Sequence, residues 1–181
     1  MCNPELPVLD SSACVRLRDD SSCRIRPVSA GDRGFLTDCF SRLSPDSRRL
    51  RFFAAKSELS DQDLDFLTSA DGIDHIALSA VTVNDQGEEA EALGFVRCLR
   101  LEQVPDSADV SIAVADQVQR RGVGSALLAR LMAVARSAEI RHFVGQTLFE
   151  NHGMRALARR TGGISRWQGD GIVEHEWSLP D

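Results

Sequence analysis

The 181-residue chain is 43% hydrophobic and 27% charged, with a formal net charge of −6. That length allows one domain with a real core, while the negative balance argues against a surface built for nucleic acid and no apolar run approaches the ~20 residues of a membrane helix. The opening Met1-Cys2-Asn3-Pro4-Glu5 lacks the basic and apolar segments of a signal peptide, so a cytoplasmic protein is expected.

Residues 1–13, rich in Pro, Ser and Asp, are expected to form a flexible tail, and residues 14–181 a single domain. Val15-Arg16-Leu17-Arg18 and residues 23–28 alternate as two strands around the turn Asp19-Asp20-Ser21-Ser22, which reads as a hairpin. Ser29 caps a helix through Phe40. Ser44-Pro45 is a cap followed by proline at the first helical position, starting a helix to about Phe53. Ser60-Asp61-Gln62-Asp63 resembles a capping box with Asp in place of Glu or Gln, and its helix runs to about Thr68.

Strands are predicted at 75–83 and 92–101, joined by a polar turn at 84–89. Another is predicted at 108–115 after a Pro105-Asp106-Ser107 turn. A helix over 125–138 places Leu127, Leu131, Val134 and Ala138 on one stripe. The strand at 142–149 completes a right-handed parallel crossover. Asn151 opens a short helix that ends at Thr161-Gly162-Gly163. Two last strands, 164–167 and 172–179, surround Gly169-Asp170-Gly171. The expected class is α/β (α+β), with a mixed central sheet flanked by helices.

The most telling stretch is Gln119-Arg120-Arg121-Gly122-Val123-Gly124, between the alternating Val110-Ser111-Ile112-Ala113-Val114 and the helix starting at Ser125. Glycines let a backbone approach a ligand closely. The first amides of a helix lack internal partners and favour an anion. The implied ligand is a phosphate, most simply a pyrophosphate. Arg120 and Arg121 are expected to face it, although both could be ordinary surface charges.

The pattern Q-x-x-G-x-G in this setting resembles the acetyl-CoA-binding motif of the GNAT N-acetyltransferases. Four further segments resemble one branch, the bacterial protein lysine acetyltransferases. They are Val15–Val28, Leu43–Phe53, Ala108–Gln119 and Glu150–Gly162. In that branch the catalytic domain is often fused to a nucleotide-sensing or acyl-CoA-synthetase-like module, and no segment here corresponds to one.

The resemblance implies acetyl-CoA as cosubstrate, with its pyrophosphate on the amides of Arg121, Gly122, Val123, Gly124 and Ser125. It implies pantetheine along Ile112–Val114, Gln119 and Asn151 as cofactor contacts, and the Val114 amide as oxyanion donor. Asp109 stands where the branch carries a Glu base, one methylene longer. It reads either as the base, directly or through water, or as a solvated residue at a strand start. Glu174 and Glu176 are reserve bases.

Many members of the superfamily protonate the leaving thiolate with a Tyr, and this chain has none; Ala158 stands at that position. A thiol of pKa ~8.5 leaves adequately as thiolate near neutral pH. The expected acceptor is a primary amine, a protein lysine first, with loops 51–60, 102–107 and 166–171 setting its identity. A small-molecule acceptor and a non-catalytic acyl-CoA sensor are the alternatives. A monomer or homodimer is expected, without nucleic acid or membrane partners.

The five cysteines, Cys2, Cys14, Cys23, Cys39 and Cys98, lack metal-ligand spacing and read as reduced thiols filling strands. His75, His142, His152 and His175 show no H-x-x-H spacing, so no metal is expected. A dinucleotide-binding turn would need glycine where Leu127 stands.

Overall fold

Asp20 adopts a left-handed φ of 66°, and the Asp19 carboxylate accepts a hydrogen bond from the Ser21 hydroxyl at 2.6 Å. The two fix the turn from which β1 (Ala13–Arg16) and β2 (Ser22–Pro27) leave antiparallel. The computed structural model describes residues 12–84 and 86–179. The expected tail therefore lies almost wholly outside the described residues.

β2 pairs with β3 (His75–Val83), followed by β4 (Glu89–Leu101), β5 (Val104–Val114), β6 (His142–Leu148), β7 (Ile164–Gly169) and β8 (Ile172–Ser178). They form one eight-stranded sheet in the order β1-β2-β3-β4-β5-β6-β8-β7. β5 and β6 pair parallel while their neighbours pair antiparallel. The sheet is thus mixed, as the strand–helix–strand reading requires.

Three helices lie between β2 and β3: α1 (Arg33–Ser41), α2 (Pro45–Phe52) and α3 (Asp61–Thr68). The first begins later than its Ser29 cap suggested, after a 3-10 turn at Ala30–Asp32. The reason is Asp32, whose carboxylate accepts from the Ser29 amide at 2.6 Å and from Arg26 of β2 at 2.6 Å. That ties the turn to the sheet before regular helix starts. α2 begins as read: Ser44 Oγ accepts from the Ser47 amide at 3.1 Å, with Pro45 at the first position. In α3 the shorter Asp63 still closes the capping box, its Oδ2 accepting from the Ser60 amide at 2.7 Å.

The Pro105-Asp106-Ser107 turn is not formed. β4 and β5 instead make a hairpin over Glu102 and Gln103, and residues 104–107 are already strand. Proline is tolerated because residues 105–107 fall in the bulge between the Leu101–Val104 and Arg100–Ala108 pairs and β5 begins to pair with β6 only at Ser107, so Pro105 is paired on neither side. Asp109 consequently sits mid-strand rather than at a strand start.

α4 (Val123–Ser137) and α5 (His152–Arg160) complete the fold. Arg51 of α2 donates to Ser111 Oγ at 2.8 Å, whereas a Cβ on Gly124 of α4 would meet Ile112 and Val114 at 3.7 Å. Neighbouring residues of a strand face opposite sides, so α2 and α4 cover opposite faces of β5. Leu127, Leu128 and Leu131 of α4 are fully buried with Ile140 and Phe143. Each such side chain contributes about 1.5–3 kcal/mol by leaving water.

The end of α5 gives a stability test. A Cβ on Gly163 would lie 2.6 Å from Trp177 Nε1. Trp177 is buried and donates to Thr161 Oγ1 at 3.0 Å, so it has no free direction of retreat. Gly163→Ala is expected to cost about 1–3 kcal/mol by overpacking. A urea titration should show a lowered midpoint at unchanged slope.

Candidate active site

β5 and β6 stay together only where Ser107–Asp109 face residues 142–144. Beyond Asp109 they part, since β5 follows β4 as far as the Gly94–Val114 pair and β6 follows β8 to Leu148. The parting exposes one edge of β5. The Ala115 amide donates to Leu93 on the β4 side. By the alternation of an antiparallel ladder, Ile112 and Val114 turn their amides and carbonyls the other way, into the gap. Two observations agree: the Val114 carbonyl accepts from Gln119 Nε2 at 3.2 Å, and a Cβ on Gly145 of β6 would meet the Val110 carbonyl at 3.0 Å. A cleft of about 870 Å³ fills the gap and reaches both faces of the sheet, a size usual for small-molecule sites.

At the α4 end the cleft is built for an anion. Gly122, with φ 102°, caps the helix and supplies no side-chain hydrogen bond to its first amides. Those amides have no partner within the helix. Ser125 Oγ is buried and has no partner among the described residues. Gly124 lines the cleft, and a Cβ there would stand in ordinary contact with Leu157, Ile112 and Val114 at 3.6–3.7 Å, so the glycine brings the helix start close against these side chains. Arg120, left-handed at φ 63°, adds charge at the rim. These groups fit a diphosphate.

Asp116 links this end to the other. Its Oδ1 accepts from Gln119 Nε2 at 2.9 Å and its Oδ2 from the Ser44 amide at 3.1 Å. The start of α2 is thereby fixed to the turn that carries the glycines.

On the α2 face, Asp109 lines the cleft with Arg51 and Arg97. No side-chain or backbone donor bonds the Asp109 carboxylate among the described residues. Burial raises its pKa above the ordinary Asp value, opposed by the charges of Arg97 and Arg51. Burial and the neighbouring Arg97 bring Arg51 down to about 10, and burial lowers Arg97 as well.

Nine of the expected residues line one cleft: Asp109, Ile112, Val114, Gln119, Arg120, Gly122, Gly124, Ser125 and Asn151. Asn151 also caps α5, its Oδ1 accepting from the Met154 amide at 2.9 Å, which leaves its NH2 for a ligand. Two are placed otherwise. The Arg121 guanidinium does not face the cleft; it is paired with Asp19 and bonded to Ser21 Oγ at 3.1 Å, bracing the first hairpin. The Val123 side chain is buried in the core, so its contribution is confined to the main chain.

The reserve bases are engaged elsewhere. Glu176 is paired with Arg166, and Glu174 accepts from Gln168 at 2.8 Å; neither lines the cleft. His175 is fully buried between Thr147 Oγ1 and Ser165 Oγ, each at 2.8 Å, and is structural. Residues 102–107 and 166–171 are largely strand and do not reach the cleft. Burial raises the Cys39 and Cys98 thiols to about 11 and about 12, which disarms both as nucleophiles.

Arg97 and Ser111 were not among the residues expected at the site, and Arg51 was expected only as the start of a loop. A signal for Arg97 existed: it interrupts the apolar face Leu93-x-Phe95-x-x-x-Leu99 of β4. A charge at such a position needs a reason.

Known proteins share this fold. Residues 37–163 match the model of the acetyltransferase (GNAT) family. The GNAT domain of S. lividans PAT superposes with a TM-score of 0.87 at 34% identity, covering 97% of this chain and 100% of that one. The chain belongs to the acetyltransferase (GNAT) family. Acetyltransferase Pat of Mycolicibacterium smegmatis is 26% identical over 166 residues, 92% of this chain but 48% of Pat. The chain thus spans about half the length of that relative. Acetyltransferase PA5475 of Pseudomonas aeruginosa is 28% identical over 152 residues, 83% of this chain and 79% of that protein.

Proposed function

We propose that the protein transfers an acetyl group from acetyl-CoA directly to a primary amine, with the side chain of a protein lysine as the leading acceptor. The observation that carries the reading is the unbonded Asp109 carboxylate at the point where β5 and β6 part. The lysine acceptor rests on the resemblance of four segments to the bacterial lysine acetyltransferases and on the likeness to the PAT domain.

The diphosphate of the donor sits on the Gly122–Ser125 amides, held by the helix dipole. Pantetheine adds to the free edge of β5 as a further strand would. A strand rises about 3.3 Å per residue, so Ile112 lies about 10 Å from Asp109 along β5 and Val114 about 16 Å. Ile112 is therefore the better placed of the two amides to receive the thioester oxygen, and Val114 serves the pantetheine. Asp109 takes the proton of the ammonium through a water, which its short side chain requires. The amine lone pair attacks the thioester carbon, a C–N bond forms, the C–S bond breaks, CoA leaves as thiolate, and the excess proton on the acylated nitrogen passes to that thiolate or to water. The main-chain amide stabilises the developing oxyanion.

The test is transfer of labelled acetyl to the proteins of a dialysed cell lysate, with CoA release followed in parallel. Labelled proteins with the label mapped to lysine are expected. Release that returns only with the small-molecule fraction would replace lysine by a metabolite acceptor. Binding of acetyl-CoA without either would leave a sensor. Raising ionic strength should raise the KM for acetyl-CoA several-fold, because Arg120 and the helix end attract a polyanion and salt screens that attraction over about 10 Å at 0.1 M.

A further inference from the structure

The arginines of this protein are paired with carboxylates at site after site. Arg26 meets Asp32 and Glu89, Arg33 meets Asp61 and Asp65, and Arg100 meets Asp74. Arg51 and Arg97 depart from that habit inside the cleft. Arg51 is bonded to a neutral hydroxyl, Ser111 Oγ at 2.8 Å. Arg97 stacks its guanidinium over Phe66 at 5.0 Å, and its Nε and Nη1 are buried without a hydrogen-bond partner among the described residues. Asp109 is the acidic group that acts on both, yet neither arginine forms an ion pair with it.

A buried guanidinium with idle donors is costly. Arg97 carries such idle donors and Arg51 spends one of its own on a neutral hydroxyl, so two guanidiniums beside one carboxylate leave an excess positive charge, with fork-shaped donor capacity suited to a planar carboxylate. The excess lies on the α2 face of β5, opposite the face on which α4 presents its amides to the diphosphate. The acetyl donor's phosphates are therefore not what these arginines await.

We infer that Arg51 and Arg97 form a clamp for a carboxylate borne by the acceptor close to its reacting amine. The inference rests on the acetyl-transfer reading above and adds the acceptor's charge pattern to it. The amine is drawn to Asp109 and the carboxylate to the arginines, so the site complements a paired positive and negative group. In a protein acceptor that pair is a lysine beside an Asp or Glu; in a small acceptor it is an amino acid.

The experiment measures kcat/KM with acetyl-CoA for three acceptors: a lysine peptide with flanking Glu, the same peptide with flanking Gln, and free amino acids. Preference for the carboxylate acceptor by about tenfold or more is expected, the range of a charge-assisted hydrogen bond. It should appear in the acceptor KM. Arg97→Gln and Arg51→Gln should each reduce the Glu-to-Gln preference towards one, while Arg97→Lys keeps part of it. Thermal melting and the KM for acetyl-CoA distinguish a lost clamp from a damaged fold. Free amino acids outperforming both peptides would assign the carboxylate to a small acceptor. Equal rates for the Glu and Gln peptides without use of amino acids, or a preference that survives both Gln variants, would overturn the inference and leave acetyl transfer standing. No transfer to any amine would overturn both.

Discussion

Asp109→Asn is expected to lower the turnover number for acetyl transfer by about 10²–10⁴-fold, the usual contribution of a positioned base. Acetyl-CoA affinity should change little, because Asp109 lies on the face of β5 away from the α4 amides proposed to hold the donor. Steady-state kinetics with calorimetric binding of acetyl-CoA checks both halves. Retention of full turnover would remove Asp109 from the mechanism. Asp109→Glu supplies the missing methylene and should keep substantial activity, since it brings the carboxylate nearer the amine without a bridging water. The pH profile follows from the same environment. Burial raises the Asp109 pKa, so the acid limb of the rate should lie above the ordinary Asp range near 3.9, and it should disappear in the Asn variant.

The same shift fixes the sign of a stability effect. An acid whose folded pKa is raised contributes stability below its unfolded pKa and loses it as pH rises through the folded value. At neutral pH the ionised Asp109 is therefore a burden on the fold. Asp109→Asn should melt no lower than the unaltered protein at pH 7, and no lower at pH 4. A variant that is inactive yet at least as stable identifies a group kept for chemistry rather than for structure.

Local signals carried much of the fold. Ser44-Pro45 and Ser60–Asp63 announced their helices because capping is decided within four residues, and both caps form. The glycines after β5 marked the helix start that lines the cleft, because the geometry of a helix start needs no distant partner. The misreadings involve partners far along the chain. Pro105 reads as a turn until β6 is known to begin its pairing at Ser107. Arg121 reads as a phosphate ligand until the first hairpin is folded beside it, with Asp19 and Ser21 about a hundred residues earlier in the chain. Arg51 and Asp109 are separated by three elements and come to one cleft where α2 lies against β5, held there by the Ser44–Asp116 and Arg51–Ser111 hydrogen bonds. Alternation on β4 hinted at Arg97, but no local pattern joins it to α2.

The largest loss of stability is expected from Arg26→Met. Arg26 is held between Asp32 and Glu89, with contacts of 2.6 Å to each, and its side chain is 18% exposed against 3% for Asp32. Removing the cation leaves two carboxylates facing one another. Glu89 retains Arg24 at 3.7 Å, whereas Asp32 keeps only the hydrogen bonds of Ser29. An orphaned buried charge costs about 3–5 kcal/mol. Burial by itself would raise the Asp32 carboxyl, but Arg26 and the Ser29 amide overcome it and hold the pKa low; the Arg26 hydrogen bonds do the same for Glu89. Depressed folded values stabilise above the unfolded pKa values, near 4, and the contribution is lost as pH falls through the folded ones. Urea unfolding should therefore show a deficit in the variant that is large at pH 7 and narrows below pH 4. Adding Asp32→Asn to Arg26→Met should recover part of the loss, because it removes the orphan rather than restoring the pair. The consequence for function follows from position: this network joins β2 and β4 to the turn that launches α1, and through α1 to α2 with Arg51. A partly loosened protein should lose acceptor affinity before donor affinity, since the proposed diphosphate site lies on α4 and β5 and draws nothing from Arg26.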